Sequence, residues 1–178
     1  MNSSKIAYKV ALCGVLSALS LVLMMFTTVI PVGTYALPVM AGILLVSVVI
    51  EFNAKWALAV FFTVSVLSFL LSGDKEAVLY FIMFFGFYPV VKSYLERIKS
   101  KFLQWVLKYA LFNICMVVAF YIGIYLLGVP LESFEIFGYN LPLVFLLIGN
   151  LAFFLYDRCV TVVVINYITR WRNKLIKY

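Results

Sequence analysis

Apolar residues run almost unbroken along this chain, and polar ones gather in short interruptions between the runs. A helix that crosses a membrane needs about 20 mostly apolar residues. By that length the pattern predicts six spans, near 7–30, 36–51, 55–72, 77–93, 104–127 and 141–168. Pro31-Val32-Gly33 breaks the first from the second. Glu51 to Lys55 separates the second from the third, and Ser72 to Glu76 the third from the fourth. The connection from Gly128 to Asn140 is longer and holds Pro130, Glu132 and Glu135. No soluble domain, linker or internal repeat interrupts the series, so residues 1–178 read as one all-α membrane domain. The first apolar stretch follows Lys5 and Lys9 but exceeds the roughly 7–15 residues of a signal-peptide core, so it reads as a retained helix.

Composition agrees with the pattern. Of 178 residues, 66% are hydrophobic and 12% charged, against about 45–50% and about 25% in a soluble domain. The net charge of +7 would suit nucleic acid on a soluble face, but here the basic residues collect at the ends of apolar runs. Lys and Arg mark the cytoplasmic side of a membrane protein. With the N-terminus inside, the inner segments and tail hold twelve basic residues, among them Lys55, Lys92, Arg97, Lys108 and Arg170. The outer loops hold Lys75 alone, against Asp74, Glu76, Glu132 and Glu135. Both termini are therefore expected to be cytoplasmic.

Histidine is absent, which removes Ser/His dyads, HExxH sites and imidazole metal sites together. Cys13, Cys115 and Cys159 lie far apart within apolar runs and read as buried small residues rather than a disulfide or zinc set. Nothing in the sequence points to a cofactor, a metal or nucleic acid, and for an enzyme the lone carboxylate of Asp157 is a thin basis. There is also no ATPase module, so active transport would draw on a partner or an ion gradient.

Ala7, Ala11, Gly14 and Ala18 fall on one face of the first helix as two small-xxx-small patterns. Such a face lets another helix approach closely in lipid, whether from this chain or from a partner. The chain here resembles the substrate-binding S components of energy-coupling factor transporters. The likeness rests on Ala7-x3-Ala11 continued by Gly14 and Ala18, on six spans with both ends inside, and on "GDKEAVLYFIMFFGFYP" and "GNLAFFLYDR". It implies a non-catalytic subunit of the cell membrane, bacterial in the family, that captures a vitamin or related micronutrient. It also implies docking through helix 1 onto a transmembrane coupling subunit with two ATPase subunits. The start Met1-Asn2-Ser3 and the missing histidine disfavour nickel or cobalt as cargo. A small six-span scaffold of the cell-envelope machinery is the alternative from another class, and a membrane enzyme is the third.

An outward-facing site would draw on Thr34 and Tyr35 after helix 1, and on Glu76, Tyr80 and Phe84, spaced by four along one face of the fourth span. Tyr121 and Tyr125 would come from the fifth span, Asn140 from the mouth of the sixth and Asn150 from deeper in it. Stacking on rings, with amides and carboxylates fixing orientation, suits a flat, partly polar molecule. The same tyrosines also suit interfacial anchoring, and an amide such as Asn150 suits pairing within the bundle. Asp74 reads as an N-cap of the fourth span.

The sixth span carries Asp157 and Arg158 side by side. A charge at the centre of a spanning helix costs roughly 2.5–3.5 kcal/mol, so the pair should face protein or water. Neighbours on a helix diverge by about 100°, and the two need not pair with each other. A structural anchor, an inward-side coupling role and contact with substrate or a proton are the readings open to them.

Overall fold

The computed structural model describes residues 3–30, 33–128, 135–136, 139–140 and 142–171. Seven α-helices follow in order: α1 Ser3–Phe26, α2 Gly33–Glu51, α3 Ala54–Leu71, α4 Lys75–Tyr80, α5 Tyr88–Leu95, α6 Lys101–Tyr125 and α7 Pro142–Asn166. A π-helical turn at Phe81–Phe85 lies between α4 and α5, and a second at Tyr167–Trp171 extends α7. Among the described residues, six helical segments are long and apolar enough to cross a membrane, with Lys75–Leu95 counted as one. This supports the expected multi-pass architecture. The long connection carries a minimal antiparallel ladder, β1 Glu135–Ile136 on β2 Tyr139–Asn140. Pro31, Val32, Pro130 and Glu132 lie outside the described residues.

Local chemistry sets the helix starts. Asn53 Oδ1 accepts from the amides of Lys55 and Trp56 to open α3. Asp74 Oδ1 accepts from Ala77 N at 2.9 Å to open α4, and Ser100 Oγ accepts from Leu103 N to open α6. Each satisfies amides left over at a helix N-terminus.

Two apolar clusters divide the bundle. The first joins α1, α2 and α3 to the fourth span around Met24, Leu45, Val48, Val64 and Phe81. The second is aromatic and joins α2, the fourth span, α6 and α7 around Phe84, Tyr88, Phe112, Phe153 and Tyr156. At one end of the bundle, Ser72 Oγ donates to Met24 O at 3.1 Å, and Gly73 N donates to Thr28 Oγ1. That end also holds the starts of α2 and α4, where Thr34 Oγ1 donates to Asp74 Oδ2 at 2.8 Å. At the other end Tyr8, Phe52 and Trp56 stack edge to face where α1 begins, α2 ends and α3 begins.

The π-turn has a legible cause. Pro89 stands four residues after Phe85 and has no N–H, so the Phe85 carbonyl lacks its ordinary helical donor. The chain widens into an i→i+5 turn, closed by Gly86 N on Phe81 O at 2.8 Å. Tyr156, on α7, donates its hydroxyl to the orphaned Phe85 oxygen at 3.3 Å. Gly42, on α2, lets that carbonyl approach, because a Cβ there would collide with it.

Candidate binding cavity and buried ion cluster

A cavity of about 790 Å³ lies between α2, the fourth span, α6 and α7. Its walls are apolar side chains such as Val39, Met116 and Ala152, with four tyrosines, Tyr35, Tyr80, Tyr121 and Tyr156. Phe112 and Phe153, stacked at 4.8 Å, line it toward the aromatic cluster. The volume falls in the roughly 300–1,000 Å³ range of small-molecule pockets.

The residues expected at a site separate into those the fold gathers and those it does not. Tyr35 and Tyr80 meet at the cavity wall with ring centroids 5.2 Å apart. Both hydroxyls donate to one oxygen of Glu76, Tyr80 at 2.9 Å and Tyr35 at 3.2 Å. Tyr121 also lines the cavity, whereas Tyr125 stacks on it at 6.2 Å and is 79% exposed, outside the lining. Phe84 is fully buried in the aromatic cluster instead. The π-turn is the reason: across it the residue above Tyr80 is five positions on, and Phe85 takes the wall. Asn150 also stands outside the lining. Its amide and that of Asn113 on α6 exchange two hydrogen bonds of 2.9 Å, and its second N–H goes to Leu146 O. The Asn150 amide is thus a clasp between α6 and α7. The backbone of Asn140 lies in β2, and its side chain is outside the described residues.

Beyond the aromatic cluster lies a second polar feature. Asp157 is 2% exposed and its Oδ1 accepts from three groups: Tyr88 Oη at 2.5 Å, Lys108 Nζ at 3.0 Å and Lys92 Nζ. Lys92 and Lys108 each make a further bond to Glu96 Oε1, at 2.9 and 3.0 Å. Two ammonium groups and two carboxylates therefore balance in one cluster that ties α5, α6 and α7. Burial alone would raise the Glu96 carboxyl, but the two lysines hold it below its ordinary value. Arg158 points elsewhere, its guanidinium 5.2 Å from the Phe154 ring and 5.5 Å from that of Trp105. In the sequence Lys92 and Lys108 stand out only as inner-side charges. Their partner Asp157 was the visible half of the cluster, because a buried carboxylate needs cations from somewhere.

Ala7, Ala11, Gly14 and Ala18 are all exposed on α1, and a Cβ at Gly14 would meet nothing. Gly14 and Ala18 themselves edge a groove against α3, together with Val10, Trp56 and Thr63. No helix of the described chain covers this stripe. Among the described residues no group of His, Cys, Asp and Glu could hold a metal ion. Protein-family models, curated proteins and solved structures were compared with this chain, and none matches.

Proposed function

We propose that this chain is the substrate-capturing, non-catalytic subunit of an ATP-driven micronutrient uptake system of the energy-coupling factor type. The observation that carries the reading is the tyrosine-lined cavity between α2, the fourth span, α6 and α7. Its volume suits a vitamin-sized molecule, and the Tyr35–Tyr80–Glu76 group supplies convergent polar atoms in otherwise apolar walls. With both termini cytoplasmic, Asp74 and Glu76 lie on the outer side, and the cavity receives its ligand there.

The exposed small-residue stripe of α1 supports a docking role. Ala7, Ala11, Gly14 and Ala18 are exposed, and small residues there leave room for a partner helix to approach closely. A transmembrane coupling subunit carrying two ATPases is the partner in this reading. The chain captures, and the partner supplies the energy.

Two measurements test it together. The purified protein is screened for thermal stabilisation by vitamins and related micronutrients, and tagged protein is isolated from its host in mild detergent. Capture predicts a stabilising ligand and co-isolation of a coupling protein with paired ATPases. Gly14→Trp should abolish that co-isolation and leave the ligand shift intact. An absence of stabilising ligands, with envelope-assembly proteins isolated instead, would establish the scaffold alternative.

A further inference from the structure

The cavity's polar atoms have a common sign. A carboxylate can only accept hydrogen bonds, so Tyr35 and Tyr80 spend their hydroxyl protons on Glu76. Tyr156 spends its own on the Phe85 carbonyl. Three of the four lining tyrosines therefore offer only oxygen lone pairs and ring faces to an occupant. No lysine, arginine or side-chain amide lines the cavity among the described residues. Glu76 stands one hydrogen bond behind the wall and polarises both phenol oxygens toward negative.

The surrounding charge has the same sign. The sequence has no basic residue between Lys9 and Lys55, between Lys75 and Lys92, or between Lys108 and Arg158. Every segment of the cavity wall falls within those gaps. Lys75, the nearest cation in sequence to Glu76, donates to the carbonyls of Phe69 and Ser72.

We infer that the cavity selects a compact apolar molecule carrying one positive charge, and rejects carboxylates and phosphates. The ammonium or heterocyclic cation would sit against Tyr35 and Tyr80. There it gains phenol oxygens as acceptors, two ring faces and the Glu76 charge across a low-dielectric wall. An anion would meet only the Tyr121 hydroxyl as a side-chain donor among the lining tyrosines, and would feel the Glu76 charge through the Tyr35–Tyr80 wall. The apolar body would lie along Val39, Met116 and Ala152 toward Phe153. This selection rests on the capture reading and adds the ligand's charge to it.

The test uses three probes with one ring system: 1-naphthylmethylammonium, 1-naphthylmethanol and 1-naphthoate. Binding to the full chain is measured in neutral phosphatidylcholine nanodiscs, with empty discs as the blank. The ammonium is expected to bind at least tenfold tighter than the naphthoate, with the alcohol between them. Glu76→Gln should bring ammonium and alcohol to within about threefold of each other, and Tyr80→Phe should weaken the ammonium selectively. Equal binding of all three, or tighter naphthoate, would overturn the charge selection and leave capture standing. Failure of every probe would overturn both. The wild-type comparison decides the matter even where Glu76→Gln does not fold.

Discussion

Tyr88 Oη on the fourth span donates to Asp157 Oδ1 on the sixth at 2.5 Å, and Asp157 is buried. That contact joins the aromatic cluster beside the cavity to the ion cluster beyond it, since Tyr88 also packs on Phe153 and Tyr156. Removing one partner of a buried ion pair costs about 3–5 kcal/mol, because the other charge is left without compensation. Asp157→Ala should lose stability on that scale in denaturant unfolding of the detergent-solubilised protein. The double variant Asp157→Ala with Lys92→Met should lose less than the two single variants combined, since Lys108 and Glu96 still pair. Simple additivity would mean that Lys92 and Asp157 act independently.

Glu96 brings a pH dependence. Its side chain is 42% exposed but touches both lysines, which hold its carboxyl below the ordinary 4.5. A carboxyl depressed on folding contributes its stability fully above the unfolded value and loses it as pH falls through the folded one. Wild type should therefore melt higher than Glu96→Gln at neutral pH, and the gap should close below pH 4.5. A gap that is constant from pH 7 to pH 3 would show that the charge of Glu96 contributes nothing.

The Asn113–Asn150 clasp predicts a structural phenotype. Hydrogen bonds between helices in lipid are worth on average about 0.6 kcal/mol and at most about 1.7. Asn150→Ala should cost stability within that range, and Asn113→Leu with Asn150→Leu should recover part of it. Ligand affinity should stay within about threefold of wild type. A large affinity loss at unchanged stability would instead return Asn150 to the binding site.

Two glycines should behave oppositely. A Cβ on Gly42 runs into the Phe85 carbonyl, while one on Gly14 meets open space. Gly42→Ala should cost about 1–3 kcal/mol, the usual range for overpacking. Gly14→Ala should fold as well as wild type. Equal melting temperatures for the two variants would contradict the close approach at Gly42.

The spans were legible because membrane length and apolarity leave few options, and Asp74 was legible as a cap because it precedes the fourth span. Tyr35, Tyr80 and Glu76 were legible as neighbours from topology, which brings the starts of α2 and α4 to one end. Phe84 was not, because a fixed spacing of four assumes an α-helix throughout. The warning was Pro89, whose missing N–H disturbs the turn before it. Lys92 and Lys108 were hidden by their place among the inner-side charges, Lys92 in the last turn of α5 and Lys108 two turns into α6, where long lysines ordinarily reach water. Asn113 was hidden because one amide among apolar neighbours does not announce which helix holds its mate.

The ion cluster also has a consequence for biogenesis. Lys92 and Lys108 leave the ribosome well before Asp157, which arrives on the last spanning helix. Until then the two ammonium groups share Glu96 alone. A nascent chain stopped short of Asp157 keeps one lysine uncompensated at an interface that α7 normally seals. The charge balance of three helices is thus completed by a single carboxylate on the last of them.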